Sequence, residues 1–184
     1  WQVLLGLRMD RFSIDSTNRL LDASAQRDSH GLSPRAGVVW TPVRDHSFYA
    51  SYSKTFSPTG GGTIGITPNA RGNTNDLDPE HTRQYEVGVK SDWLDGQLST
   101  TLALYQLELY NRRTTDPVDP TIVLLTGLQR SRGIELTAAG RLTGNWYLRG
   151  GIGLQNASIV EDNNGLAGNR VSNVARRNGS VFLT

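Results

Sequence analysis

The sequence has no cysteine at all, which excludes a disulfide framework and every cysteine-based metal site. No stretch approaches the roughly 18 consecutive apolar residues of a membrane-spanning helix. The densest short run is only Ile122 to Leu125. Charge of one sign is also scarce. The formal net charge is +2, and the arginines and lysines are scattered rather than clustered, which argues against a nucleic-acid partner. His30, His46 and His81 are isolated, with no pair at metal-ligand spacing. Nothing resembles a catalytic constellation, so neither an enzyme nor a bound cofactor is expected. Gly60, Gly61 and Gly62 do not follow a strand and open a helix, as a phosphate loop must. The turn at Asp162, Asn163, Asn164 and Gly165 lacks the downstream glutamate of a calcium loop. The chain opens on Trp1 without a methionine or an apolar leader and ends at Thr184 inside an expected strand. On this reading it is a segment of a longer protein.

What is present is alternation. Trp146, Leu148, Gly150, Ile152 and Leu154 fall on one face, against Tyr147, Arg149, Gly151, Gly153 and Gln155 on the other. A helix of period 3.6 cannot sort residues this way, whereas a strand of period 2 does. Tyr85, Val87, Val89 and Trp93 likewise oppose Glu86, Gly88, Lys90 and Asp92, and Phe48, Ala50 and Tyr52 oppose Tyr49, Ser51 and Ser53. Seven strands are predicted at about 1–13, 32–42, 46–57, 81–94, 97–110, 122–141 and 145–160, with an eighth from about 174. Two places parse badly. Leu102 and Leu104 share a face with Gln106 and Glu108 while Leu107 and Leu109 lie opposite, which calls for either a bulge or an inward leucine pair. Arg130 and Arg132 share the parity of Ile134 and Leu136, so they sit either beyond a membrane band or past a bulge near Gly133.

The connections alternate between short and long. Tight turns are expected at 42–46, 94–97 and 142–145, and long polar segments at about 14–31, 58–80, 111–121 and 161–173. The pattern predicts an all-β antiparallel up-and-down meander, about seven or eight strands of a larger transmembrane barrel, with short periplasmic turns and long outer loops. Trp40, Trp93 and Trp146 all stand beside the short turns. In a membrane they form an interfacial girdle, and in a soluble sandwich they would be core.

The wording of individual strands resembles TonB-dependent siderophore receptors. The phrases are Trp1 to Phe12, Leu32 to Pro42, Phe48 to Pro58, Leu77 to Lys90 (an "L-x-P-E … Y-E-x-G-x-K" pattern), Leu94 to Tyr105 and Ser131 to Leu136. The resemblance implies that residues 1–184 are the middle to later part of a barrel of about 22 strands, without its plug domain and closing strands. It also implies a monomer in the outer membrane of a Gram-negative bacterium. Such a receptor imports a ferric siderophore with energy from TonB–ExbB–ExbD acting through the plug. A porin-like passive channel, a TonB-dependent carrier of another nutrient and a soluble β-sandwich binding module remain as alternatives.

Two groups of residues are candidates for contact. Glu86, Lys90, Glu135 and Arg149 fall on the polar face, where they line a wet lumen and meet the plug. Asn69, Arg71, Tyr110, Arg112 and Arg113 fall in the expected outer loops, where arginine donors and an aromatic ring suit an oxygen-rich chelate. Iron would arrive already wrapped in its chelator, so no protein metal ligands are expected.

Overall fold

A computed structural model describes residues 1–19, 23–57, 78–119 and 123–184, and their strands form one antiparallel sheet. In chain order the strands are β1 (Gln2–Asn18), β2 (Ala23–Val43), β3 (His46–Ser57), β4 (Glu80–Trp93), β5 (Leu98–Thr115), β6 (Val123–Thr143), β7 (Trp146–Glu161) and β8 (Arg177–Leu183). Each strand bonds to its neighbours in sequence, β1 through β8. This is the meander that the alternation predicts.

The three short turns form where expected. Val43 pairs with His46, and Thr143 with Trp146, each across two residues. Between β4 and β5 the Gln97 N–H donates to the Leu94 carbonyl at 3.2 Å. Leu94 (φ 55°), Asp95 (φ 55°) and Gly96 (φ 82°) all take positive φ through this four-residue connection, a conformation that Asp and Gly tolerate well. Gly140, at φ 147°, lies so close to the Gln97 carbonyl that any Cβ would collide with it. The approach lets the Arg141 N–H bond that carbonyl at 2.8 Å.

The long polar segments are shorter than expected. Most of 14–31 is not loop: β1 and β2 stay paired from Gln2↔Val39 up to Asn18↔Ala23. β5 continues past 110 to Thr115. Part of 161–173 returns along β7, with the Ile159 N–H bonding the Asn169 carbonyl at 2.8 Å and the Val171 N–H bonding that of Ala157 at 3.1 Å. In all three places polar sequence on both faces hides strand pairing that the backbone still makes. Residues 58–77 lie outside the described residues.

Register sorts the two faces cleanly. One cross-strand row runs Val3, Val38, Ala50, Val87, Leu104, Ile134, Leu154, and the adjacent row holds Val89, Leu102, Leu136 and Ile152. The opposite face carries Glu86, Lys90, Tyr105, Glu135 and Gln155. Among the described residues the buried apolar side chains are only Ala103 and Ala157, while Leu5, Val87 and Ile152 stand 77 %, 51 % and 55 % exposed. A soluble sandwich would cover this face with a second layer, and the eight strands form one sheet. A contiguous apolar surface of this extent calls for a non-aqueous surrounding.

Both ambiguous strands resolve. β5 pairs without a break from Leu98 to Leu109 on both sides, so Leu107 and Leu109 are an inward pair and no bulge separates them from Leu104. The irregularity comes later, between Leu109 and Arg112, where Asn111 takes φ 57°. β6 likewise runs through Gly133 in register with both neighbours, which places Arg130 and Arg132 on the apolar side, beyond its last aliphatic row.

Candidate functional site on the polar face

Two tyrosine–glycine pairs organise the polar face. Tyr49 is directly opposite Gly88, and Tyr105 directly opposite Gly133. Each ring lies against the partner's backbone, and a Cβ on either glycine would come within 2.6 Å of it. Glycine therefore gives the ring a flat seat and fixes where its hydroxyl points.

The Tyr49 hydroxyl donates to Glu86 Oε1 at 2.6 Å, and Gln84 Nε2 donates to Oε2 at 2.9 Å. The Lys90 ammonium lies 5.4 Å from the Tyr49 ring centre. The Tyr105 hydroxyl donates to Gln155 Oε1 at 3.0 Å, which also accepts from Ser131 Oγ at 3.2 Å. Gln155 Nε2 in turn donates to the Ala175 carbonyl at 3.0 Å, tying the return leg of the last connection to β7.

These groups surround a hollow of about 420 Å³ whose wall includes Glu86, Tyr105, Leu107, Leu109, Glu135 and Gln155. Val171 and Val174, brought in by that return leg, complete an apolar side. The hollow thus joins an aliphatic and aromatic wall to a rim of carboxylate and amide groups. Such a surface suits a solute that is part apolar and part hydrogen-bonding. Among the described residues no cluster of His, Asp and Glu could hold a metal ion.

Of the residues singled out from sequence, Glu86 and Lys90 meet through Tyr49, and Glu135 joins Glu86 at the hollow. Arg149 stays apart, in a second hollow of about 810 Å³ with Thr137, Tyr147 and Phe182. Tyr110, Arg112 and Arg113 belong to β5 rather than to a loop. The Tyr110 ring stacks on His81 (centroids 5.1 Å apart) and pairs in register with it on the apolar side of the sheet, away from the hollow. Arg112 sits opposite Gly127 within the irregular part of β5. Asn69 and Arg71 lie outside the described residues. Sequence reasoning missed Tyr49, Gln84, Tyr105 and Gln155. The signal that identifies the two tyrosines is an aromatic residue on the wet face facing a glycine one strand away, which needs the register.

Comparison with known proteins agrees with this architecture. Residues 1–184 match the family model described as TonB dependent receptor-like, beta-barrel. The chain is 35 % identical over 99 % of its length to the metal-pseudopaline receptor CntO of Pseudomonas aeruginosa strain UCBPP-PA14. It is 28 % identical over its whole length to the probable TonB-dependent siderophore receptor PiuA of Acinetobacter baumannii. It spans about a quarter of the length of each, 25 % and 27 %. Among solved structures, that of PiuA from Acinetobacter baumannii superposes with a TM-score of 0.84 at 26 % identity, over 98 % of this chain and 28 % of that one. The closed form of the ferric-catecholate import receptor Fiu from E. coli K12 also gives a TM-score of 0.84, at 20 % identity over 98 % of this chain and 29 % of that one.

Proposed function

This chain belongs to the TonB-dependent receptor β-barrel family, and on that premise we propose that it is part of the wall of an outer-membrane importer of metal complexes of small chelators, ferric siderophores foremost. The family is one of receptors and transporters rather than enzymes, and its barrels stand in the Gram-negative outer membrane. The observation that supports the reading most directly is the division of the sheet. From Trp93 to Tyr85 on β4 and from Leu98 to Gln106 on β5, no apolar-side position bears a charge, while the reverse side holds Glu86, Lys90 and Glu135 around a ligand-sized hollow. Charges on the lipid side would cost roughly 2–4 kcal/mol each at the midplane, so their confinement to one side fits a wall between lipid and a wet lumen.

In this reading Glu86, Lys90, Glu135 and Arg149 meet a plug domain supplied by the rest of the protein, through which TonB, ExbB and ExbD deliver energy. Gln84, Tyr105 and Gln155 offer donors and acceptors to cargo passing the hollow. Asn69, Arg71, Arg112 and Arg113 receive the complex nearer the outer surface. The assembly is expected to be a monomer in lipid. Relatives named for ferrioxamine B and ferripyoverdine favour iron. The 35 % identity to a metal-pseudopaline receptor favours a second reading, in which the chelate brings in a different metal.

The test is uptake by cells carrying the complete receptor, given one chelator loaded with radiolabelled ferric iron or with a divalent metal. The expected result is accumulation of iron that stops when TonB is removed. Faster accumulation of the other metal would select the second reading. Uptake that persists without TonB would refute energised import.

A further inference from the structure

The return leg of the β7–β8 connection changes register as it comes back along β7. At its start the Ile159 N–H bonds the Asn169 carbonyl, Ser158 bridges Arg170, and the Val171 N–H bonds the Ala157 carbonyl. Further down, the Gln155 N–H bonds the Arg176 carbonyl and Leu154 pairs with Arg177. From Ala157 to Gln155 is two steps along β7, whereas from Val171 to Arg176 is five along the leg. Three residues are therefore surplus to the ladder. The leg leaves β7 over residues 172–175, in an excursion turned by Asn173 at φ 60°. Extra residues of this kind bend a strand and re-aim its side chains, and here they bring Val174 beside Val171 into the wall of the hollow that holds Leu107 and Leu109.

Backbone outside the ladder depends on side chains for its placement. Arg170 Nη2 donates to the Val174 carbonyl at 3.1 Å. Both ends of that bond belong to the leg, so it shapes the excursion without attaching it to the barrel wall. The attachment comes from Gln155, whose Nε2 donates to the Ala175 carbonyl at 3.0 Å. Its Oε1 accepts from Tyr105 on β5 at 3.0 Å and from Ser131 on β6 at 3.2 Å. One amide thus ties the excursion to three consecutive strands. Resting on the import reading above, we propose that Gln155 is a positioning residue for transport: it pins residues 172–175 over the hollow and so fixes the apolar wall against which cargo is selected.

The chemistry of the position requires an amide. The Ala175 carbonyl can only accept, so the NH2 end must face it and the oxygen end must face the two hydroxyls. A carboxylate of the same length would serve the hydroxyls but would bring no proton to Ala175, and an apolar side chain would serve neither. Gln155 has both acceptor positions of its oxygen and one of its two amide hydrogens engaged within the protein. Its larger part in transport is therefore to hold the wall rather than to touch cargo. The pinned leg also covers part of β7: Ala157, which bonds it at Val171, is only 6 % exposed. Val171, Val174, Leu107 and Leu109 form the apolar side of a hollow of about 420 Å³, so the wall favours a compact chelate with an alkyl surface over one that carries a bulky chain. Releasing the excursion removes that limit of size.

The test compares Gln155→Met and Gln155→Glu in the complete receptor, with heat-modifiable migration on gels reporting the folding of each. A nitroxide attached at Ser172→Cys, in a receptor otherwise free of thiols, reports the ordering of the excursion. Both variants lose the donor to Ala175, so the mobile fraction of the spectrum should rise roughly two- to tenfold in each. The glutamate variant keeps an acceptor for Tyr105 and Ser131, and it carries the test if the methionine variant fails to fold. Uptake is then measured with two ferric linear trihydroxamates of equal charge, one ending in an acetyl group and the other in an octanoyl chain. Relative to the unaltered receptor, the KM of the octanoyl complex should fall against that of the acetyl complex by roughly twofold or more in both variants, with the maximal rate for the acetyl complex little changed. Unchanged mobility in both variants would overturn the pin, as would a rise in Gln155→Met alone, which would leave Gln155 serving only the two hydroxyls. An equal KM ratio in all three receptors would overturn its part in selecting cargo. Import of neither complex by the unaltered receptor, with the nitroxide responding as expected, would instead count against the function proposed above.

Discussion

Replacing Ile152 by arginine puts the division of the sheet to a quantitative test. Ile152 lies six residues along β7 from Trp146, or about 20 Å of strand and about 15 Å of height at the tilt of such barrels, near the middle of the band. Its cross-strand neighbours are Leu136 and Gly179, so no carboxylate stands ready to pair with a new cation. An arginine there is expected to cost about 2–4 kcal/mol, and at about 1.4 kcal/mol per decade the folded-to-unfolded ratio falls roughly 30- to 1,000-fold. Leu148 shares that face but is only two residues from the rim, and Leu148→Arg should cost about 0–1 kcal/mol. Arg149→Leu, on the wet side, should change stability by less than Ile152→Arg. The assay is reversible folding of the complete receptor into phospholipid vesicles across a guanidinium titration, followed by tryptophan fluorescence. If Ile152→Arg and Arg149→Leu unfold at the same midpoint, or Leu148→Arg is the worst of the three, the assignment of faces is wrong.

Tyr49→Phe removes the hydroxyl that donates to Glu86 while Gln84 still serves the second oxygen. A loss of about 1–2 kcal/mol is expected in the same titration, and no loss would mean that the bond is not formed in the membrane. Gly140→Ala forces a side chain into φ 147° and into the Gln97 carbonyl, whereas a Cβ on Gly144 meets nothing within 4 Å. The first should cost about 1–3 kcal/mol or more and the second little, and equal midpoints would refute the close approach at Gln97.

The parts of the fold that were legible in the sequence are those where one face is apolar and the other is not. β7 could be read residue by residue because Ile152 and Leu154 alternate with glycines and Gln155, and the β4–β5 turn because Asp95 and Gly96 suit φ > 0. Beyond the band both faces meet water, the contrast vanishes, and pairing continues without a sequence signal. This is why Asp15, Thr17 and Ser24 read as loop although they stand in the β1–β2 ladder. The same limit hid the inward pair Leu107 and Leu109, since a bulge would have produced the same string of letters. Of the wet-face site, Glu86, Lys90 and Glu135 followed from parity. Tyr105 and Gln155, fifty positions apart, could not be joined before the register was known.

The seats that Gly88 and Gly133 give to Tyr49 and Tyr105 bear on how the hairpins assemble. Slipping either pairing by a single position sets a bulky ring against Val87 or Val89, or against Arg132 or Ile134, where a bare Cα had been. The same slip turns a whole strand over and offers its ionic groups to the lipid. Each ring therefore acts as a detent that closes only at the correct alignment, so an insertion error is penalised twice, locally by the clash and globally by the inverted surface.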